Sequence, residues 1–349
     1  MQVYEHPASS TLQAALKSTL PHSISLSYRT KHPNRTKDAH VLASFPPNTT
    51  TENLPRCWAA AYFDRSMRPE TELWIFTTGE IPEHYTSPDQ KKGDQEFCPE
   101  CRKAVLSLID YMSRLPIPPL HPESEPALEL ARQHEQEFPQ RGPDAKYPPG
   151  PGLYMRHLLI PTVVTLGACH QQVVKVLAEA GILCKEFPGP EAELNKFWFK
   201  VSDLPRTKDL PEELRWGEMR ETDMAIVQTR TSIPRTTRTL MSLKSVGVFE
   251  RSTDRPVAWT FLGLDGSLTT LHTEPEWRGK GIAKAVAVKI FMEHAPGLAV
   301  DEVGDAWAHA DVYLGNVQSE SVCRSLGGKP SVKILWVRID IGKGTGSRA

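Results

Sequence analysis

Residues 267–283 read Ser-Leu-Thr-Thr-Leu-His-Thr-Glu-Pro-Glu-Trp-Arg-Gly-Lys-Gly-Ile-Ala, and this stretch decides the fold of the C-terminal part of the chain. Ser267 to Glu274 alternate as a strand does, and Pro275 then turns the chain. A helix that continues to about His294 is predicted by apolar side chains four residues apart, at Ile282, Val286 and Ile290. The loop between strand and helix is therefore expected to be a helix N-terminus.

This loop has the properties of a phosphate site. A helix N-terminus presents unpaired N–H groups and the positive end of a dipole, and Gly279 and Gly281 permit close approach and positive φ. The P-loop is excluded because its Gly-x-x-x-x-Gly-Lys-Ser/Thr motif is missing from the stretch. A dinucleotide fingerprint would need a third glycine where Lys284 stands. The pattern that fits is Arg-x-x-Gly-x-Ala, at Arg278, Gly281 and Ala283.

That pattern, after a strand ending in Glu-Pro-Glu-Trp, resembles the pyrophosphate loop of the GCN5-related N-acetyltransferase (GNAT) superfamily. The neighbouring segments agree in order, since a hairpin turns at Asp265-Gly266 and Asn316 opens a short helix closed by Gly327-Gly328. The predicted elements are the strands Pro256 to Leu262, Trp307 to Tyr313 and Val332 to Ile341, and the helix Asn316 to Leu326.

A narrower resemblance is to the glycine N-acyltransferase-like group. It is carried by Pro256-Val257-Ala258-Trp259, Pro275-Glu276-Trp277-Arg278 and His309-Ala310-Asp311. The resemblance implies an α/β (α+β) fold of two tandem acetyltransferase-like domains. Each would be a mixed, mostly antiparallel twisted sheet flanked by helices, with the N-terminal domain degenerate.

The resemblance also implies a coenzyme A site. The pyrophosphate would be bound mainly by backbone N–H groups of Arg278, Gly279, Lys280, Gly281, Ile282 and Ala283. Donors for the thioester oxygen would come from the strand before the loop, at Leu271 to Thr273. Asn316 would hold the pantetheine or the end of its helix. The co-substrate is expected to be acetyl-CoA or another acyl-CoA.

The general base does not follow from the resemblance. The glutamate of the glycine N-acyltransferase-like group falls on Ser267, and the superfamily's acidic tyrosine falls on Cys323, although Tyr313 is close in sequence. The remaining base candidates are His272 and Glu274, which share a strand face, and His309 on the facing strand. His309 and Asp311 can equally be a hydrogen-bonded structural pair.

Length and composition limit the number of domains and the class of protein. The 349 residues suit two domains, and 39% hydrophobic and 24% charged residues are typical of a globular protein. A net charge of −1 gives no basic field for nucleic acid, and no run of 18 apolar residues predicts a membrane span. The first residues resemble neither a secretory nor an organellar signal, so a cytoplasmic protein is expected.

Breaks in pattern predict the domain limits. We expect an N-terminal domain over residues 1–201, a linker over 202–213, the catalytic domain over 214–342 and a disordered tail over 343–349. Within the first domain, alternation predicts a strand at Ser23 to Thr30, and apolar spacing predicts a helix at Gly167 to Ala180.

Six cysteines do not make a disulfide scaffold in a chain of this size. Cys98-Pro-Glu-Cys101 has metal-knuckle spacing, but a structural zinc site takes four ligands and no second pair accompanies it. The pair is interpreted as two thiols at the start of a helix, and no metal is expected.

These features predict an acyl-CoA-dependent N-acyltransferase, in the first instance an N-acetyltransferase, that acylates the primary amine of a small molecule or an amino acid. One alternative is a protein lysine or N-terminal acetyltransferase, which would need an acidic acceptor groove. The basic residues Arg230, Arg235 and Arg238 argue against such a groove. The other alternative is a non-catalytic acyl-CoA-binding scaffold, which the departures at Ser267 and Cys323 permit.

Overall fold

The protein was analysed as a computed structural model, which describes residues 1–7, 10–84, 96–139, 148, 150–184, 193–231 and 235–344. Residues 345–349 of the predicted tail lie outside the described residues. The α helices found in the described ranges are α1 (Ser10–Ser18), α2 (Ile24–Lys31), α3 (Pro99–Met112), α4 (Glu125–Glu137), α5 (Pro151–Met155), α6 (Gln171–Glu179), α7 (Met224–Thr229), α8 (Thr237–Ser242), α9 (Ile282–His294) and α10 (Val317–Ser325).

The strands in the same ranges are mostly antiparallel, so the prediction of a mixed α/β fold is confirmed. They are β1 (Tyr4–Glu5), β2 (Ala39–Ala43), β3 (Ala59–Asp64), β4 (Leu73–Thr77), β5 (Val163–His170), β6 (Glu193–Lys200), β7 (Leu214–Gly217), β8 (Lys244–Glu250), β9 (Pro256–Leu262), β10 (Leu268–Thr273), β11 (Trp307–Tyr313) and β12 (Pro330–Asp340).

The chain forms two compact units that exchange segments. The first unit consists of Met1–Ala15, Arg35–Glu193 and Lys333–Ala349, and the second of Leu16–Asn34 and Leu194–Val332. This division differs from a single cut at 202–213, because a segment of the N-terminal part belongs to the second unit and the C-terminal segment belongs to the first.

In the first unit, strands β1 to β4 pair in sequence as antiparallel neighbours, β4 pairs β5 in parallel, and β5 pairs β12 antiparallel. Helices α3 and α6 cover this sheet with apolar residues three and four apart, such as Ala104, Leu108 and Met112 of α3. Pro99 in the first turn of α3 suits a helix start, because its missing N–H would be unpaired there in any case.

In the second unit, β7 to β10 form an antiparallel sheet in the order β10-β9-β8-β7, and β6 pairs β11. All seven residues of β9 are buried, as expected for an inner strand covered on both faces. Helix α9 packs on one face of the sheet through residues that include Val286, Ile290 and Phe291. Burial of this apolar face is the main source of the helix's stability.

Helix α2 corrects the strand predicted at Ser23 to Thr30. Six of its eight residues are buried, including Ser27, Arg29 and Thr30, so burial on several faces hides the period of 3.6. The ring of Tyr28 lies directly over the turn of the β9–β10 hairpin, where a Cβ on Gly266 would come within 2.3 Å of it. Its hydroxyl donates to the Trp307 carbonyl at 3.3 Å. Helix α2 is therefore part of the core of the second unit.

The predicted helix Gly167 to Ala180 is also wrong in its first part. Residues up to His170 belong to β5, and α6 begins only at Gln171. Within the described residues, no helix has both the length and the apolar character that crossing a membrane requires.

Candidate functional site

Strands β10 and β11 of the second unit lie side by side in parallel but meet at one bridge, between Ser267 and His309. Beyond that bridge β10 continues in the four-stranded sheet, while β11 pairs with β6. We therefore expect the two strands to separate towards their carboxyl ends, and we call the space between them the cleft. Since β10 leads into α9 and β11 leads into α10, both helix N-termini follow the carboxyl ends of these strands.

The loop before α9 has the predicted backbone. Gly279 and Gly281 have φ of 75° and 81°, and Gly281 is the N-cap residue of the helix. A Cβ built on either glycine would meet none of the described atoms within 4 Å, so the loop borders open space. Arg278 donates from Nε to the Thr273 carbonyl at 2.9 Å, which ties the loop to the end of β10. The Lys280 ammonium lies 4.1 Å from the Trp277 ring centre.

Asn316 caps the second helix. Its side-chain oxygen accepts a hydrogen bond from the backbone N–H of Ser319 at 3.1 Å, which satisfies one of the unpaired donors of α10. Three apolar side chains beside it are unusually exposed: Tyr313 (39%), Leu314 (53%) and Val317 (73%). Leu314 and Val317 were not among the residues predicted for the site from sequence, since apolar residues beside a helix start carry no specific signal of a ligand site.

A β-bulge interrupts β10 beside the cleft. Thr269 faces Phe261 and His272 faces Trp259, so β10 takes three residue steps where β9 takes two. Thr270 has a φ of 55°, a conformation that is strained for a β-branched residue. The extra residue of a bulge is left out of the strand ladder, so backbone N–H groups near Leu271 can point away from β9. This is the stretch in which thioester-oxygen donors were predicted.

His272 and Glu274 come together, as their spacing predicted. His272 stacks on the Trp259 ring at 4.7 Å between centres, and its Nε2 lies 3.6 Å from a Glu274 oxygen. Glu274 also accepts from Arg230 Nε at 3.2 Å. Burial lowers the pKa of His272, and the Glu274 charge opposes that shift. Leu271 packs against the core that contains α9.

His309 lies in a separate, fully buried polar cluster. Its Nε2 lies 2.8 Å from the Asp265 carbonyl and its Nδ1 lies 3.0 Å from the Lys196 ammonium. Lys196 also donates to Asp311 at 2.7 Å and to Ser25 at 3.1 Å. Because Lys196 can only donate, these partners assign the proton of a neutral His309 to Nε2. Both ring nitrogens are therefore occupied.

The charges of this cluster are balanced internally. Burial alone would raise the pKa of Asp311, but the Lys196 charge and the His309 ring more than offset it and lower that pKa to about 2. Lys196, which contacts His309, was not among the residues predicted from sequence. A lysine within an aromatic strand was the available signal, but its partner Asp311 lies 115 residues away along the chain.

The two positions that depart from the family pattern are both enclosed. Ser267 donates from Oγ to Asp265 Oδ1 at 2.7 Å, which stabilises the β9–β10 turn. Cys323 is buried in α10, and burial raises the pKa of its thiol to about 12. Such a thiol is a poor proton donor to a coenzyme A thiolate, whose ordinary pKa is lower.

Comparison with known proteins adds an independent observation. Residues 1–198 match the family model described as the acyl-CoA N-acyltransferase verG N-terminal domain. An X-ray structure of a Drosophila protein from a structural genomics consortium is 13% identical, covers 92% of this chain and 90% of its own, and has a TM-score of 0.53. At this identity the likeness is one of fold alone.

Two further structures are similar over most of the chain. A tandem GNAT protein from the clavulanic acid biosynthesis pathway is 9% identical, with 97% of each chain covered and a TM-score of 0.41. A GCN5-related N-acetyltransferase from Sphaerobacter thermophilus is 11% identical, with 87% of this chain and 81% of that one covered and a TM-score of 0.40. The search of curated proteins finds no match.

Proposed function

Because the chain belongs to the family of the acyl-CoA N-acyltransferase verG N-terminal domain, which confirms the resemblance predicted from its sequence, we propose that it acylates a primary amine in the cleft between β10 and β11. The acyl donor of this family is an acyl-CoA. The observation that carries the proposal is the loop at the start of α9, where Gly279 and Gly281 have positive φ and border open space directly after a bulged strand. We propose acetyl-CoA as the donor and a small molecule or amino acid as the acceptor.

The coenzyme pyrophosphate would lie on the backbone N–H groups of the loop from Arg278 to Ala283. Open space above Gly279 and Gly281 supports this assignment, because a phosphate must approach the backbone closely. Leu271 and Thr273 belong to the stretch that would direct donors to the thioester oxygen, where negative charge develops. The exposed side chains Leu314 and Val317 would contact the apolar part of the pantetheine, near Asn316.

We assign the base to His272, with Glu274 orienting it. A histidine whose pKa is lowered by burial stays neutral at pH 7 and can accept a proton. The Glu274 carboxylate lies 3.6 Å from Nε2 of His272, so it would hold the proton of the neutral imidazole on that nitrogen and leave Nδ1 to accept a proton from the amine. His309 would instead have a positioning role, since both its ring nitrogens are occupied. It would hold the buried cluster of Lys196 and Asp311 next to the bridge between Ser267 and His309.

In the proposed acyl transfer, each proton and each electron pair has a donor and an acceptor. The amine nitrogen forms a bond to the thioester carbon as His272 takes its proton. The C–S bond breaks, and the coenzyme leaves as a thiolate that the His272 imidazolium or solvent protonates. Cys323 is not needed for this step. The reaction can therefore proceed although Cys323 stands where the superfamily carries a tyrosine.

A competing function is supported by one specific observation. Ser267 and Cys323 stand where the resembled proteins carry base and acid, and both are enclosed. A protein that binds acyl-CoA without turning it over would tolerate both changes.

The discriminating experiment is mass-spectrometric detection of acylated amine together with free coenzyme A. The full chain would be incubated with acetyl-CoA or a longer acyl-CoA and a panel of amino acids, small amines and lysine peptides. We expect stoichiometric acyl-amine and coenzyme A from a small amine, and a loss of about 100-fold or more in His272→Gln. Acyl-CoA binding without product from any amine would favour the non-catalytic function.

A further inference from the structure

Three cysteine sulfurs converge in the first unit. The Sγ atoms of Cys57, Cys98 and Cys101 all lie within 4.8 Å of one another, and those of Cys57 and Cys98 are 3.4 Å apart. Cys57 lies 41 residues before Cys98 in the chain. The expectation of no metal rested on the Cys98–Cys101 pair, and Cys57 supplies the third sulfur that the pair lacked.

The spacing suits thiolates around one metal ion. Zinc–sulfur bonds of about 2.3 Å in a tetrahedron place the sulfurs about 3.8 Å apart. The Cys57–Cys98 separation is 3.4 Å and none of the three exceeds 4.8 Å, which is compatible with that value, whereas a disulfide would bring two sulfurs to about 2.05 Å and leave the third unused. A Cys-x-x-Cys pair is also a common half of a zinc site.

Burial raises the pKa of the Cys57 and Cys101 thiols, so a metal ion must displace their protons, whereas the surroundings of Cys98 favour a thiolate. Cys98 is the N-cap residue of α3, and its sulfur accepts from the backbone N–H of Cys101 at 3.4 Å, so a helix N-terminus faces it. The Thr78 hydroxyl lies 3.7 Å from the Cys101 sulfur. Hydrogen bonds of this kind orient metal ligands and stabilise their charge.

Three separate segments hold the sulfurs in place. Cys57 lies two residues before the start of β3, and Cys98 and Cys101 lie at the start of α3. The turn at Thr78 to Glu80 packs against Cys101. That turn approaches so closely that a Cβ on Gly79 would lie 3.1 Å from the Cys101 Cβ. The cluster is therefore formed by packed backbone and not by flexible side chains alone.

We propose that Cys57, Cys98 and Cys101 bind one Zn²⁺ ion as three thiolates, with solvent at the fourth position. Cys57 and Cys98 are only half-buried, so water can reach the site. Binding replaces three thiol protons with the metal and ties the start of β3 to the start of α3. The site belongs to the first unit and does not depend on the acyl-transfer proposal.

Elemental analysis of the full-length protein, purified without chelator from zinc-supplemented cells, provides the first test. We expect one zinc per chain. After removal of zinc under reducing conditions, Co²⁺ should bind with a sulfur-to-cobalt charge-transfer band and the visible bands of tetrahedral coordination. Both measurements use the unaltered protein, so poor folding of a variant cannot obscure them.

Cysteine variants then locate the ion. We expect Cys57→Ser, Cys98→Ser and Cys101→Ser each to weaken Co²⁺ binding by more than about 100-fold. Cys184→Ser, which removes another buried cysteine of the same unit, should leave it unchanged. Metal-free protein that fails to bind Co²⁺ when reduced would overturn the proposal. So would a Cys57–Cys98 disulfide found by alkylation of the freshly purified protein.

Discussion

His272 is the residue whose protonation should govern the reaction. Burial lowers its pKa against the opposing charge of Glu274, so the imidazole stays neutral to a lower pH than an exposed histidine would. Since the base must be neutral to accept a proton, the acidic limb that His272 contributes to kcat/KM should lie below about pH 6.5, the ordinary histidine value, and apart from the limb set by the higher pKa of the amine substrate. His272→Gln should remove this acidic limb and lower kcat/KM by about 100-fold or more, measured as pH–rate profiles.

His294 provides a matched control. It lies at the end of α9, and burial lowers its pKa in the same direction. His294→Gln should keep both the rate and the acidic limb. If the limb survives in His272→Gln and disappears in His294→Gln, the base has been assigned to the wrong histidine.

The buried ion pair of Lys196 and Asp311 should be sensitive to the loss of either partner. Both side chains are at most 5% exposed, so removing one partner leaves a buried charge uncompensated. Asp311→Asn should lower the free energy of unfolding by about 3–5 kcal/mol, whereas the double variant Lys196→Met, Asp311→Leu should recover most of it. Urea denaturation measures both. A double variant that is less stable than Asp311→Asn would mean that the pair itself is strongly stabilising.

The candidate bases differ in how far their roles can be predicted from sequence. The closeness of His272 and Glu274 follows from alternation within one strand. The enclosure of His309 does not, because its partner Lys196 lies 113 residues away and the pairing of β6 with β11 brings them together. His309 therefore looked like a base in sequence, while its structural surroundings support a positioning role.

Among the secondary-structure elements, the bulge in β10 is the one where we expect stability and activity to change in opposite directions. Thr270 holds a φ of 55° beside the predicted thioester-oxygen donors. Thr270→Gly should relieve about 1 kcal/mol of strain and raise stability, but should lower kcat about tenfold because the donors become less fixed. Thermal unfolding and steady-state kinetics measure the two effects.

Ala168 allows the two effects to be separated. It has a φ of 48° in β5 of the first unit, so Ala168→Gly relieves similar strain away from the cleft. That variant should gain stability with kcat unchanged. An unchanged kcat in Thr270→Gly would show that the bulge does not orient catalytic donors.

Prediction of elements succeeded where local signals were strong. Gly279 and Gly281 adopt the predicted positive φ, and Asn316 stands at a helix start as expected. It failed for α2, because a helix buried on several faces loses the period that identifies it. The β5–α6 boundary was missed because an apolar run from Val163 onward suits a buried strand as well as a helix.

At the scale of the whole molecule, the exchanged segments predict that the second unit cannot fold from the C-terminal sequence alone. Residues 202–349 omit α2 and β6, which supply Tyr28 and the strand that pairs with β11. This truncated chain should not bind acyl-CoA, and Tyr28→Ala in the full chain should lose about 3–5 kcal/mol of stability. A folded truncated chain with full affinity would contradict this account. Breaks in the sequence pattern cannot indicate such contacts, because they join segments far apart in sequence.

Calorimetric titration of the full-length protein with acetyl-CoA, comparing wild type, Gly281→Asp and Gly304→Asp, tests the central claim most directly. Gly304 also has a positive φ and open space around it, but it lies before β11, away from the loop that leads into α9. Saturable binding should be kept by wild type and Gly304→Asp and weakened at least about 100-fold in folded Gly281→Asp, where a carboxylate would oppose the pyrophosphate. Equal affinity in all three proteins, or no binding by folded wild type, would contradict the coenzyme site.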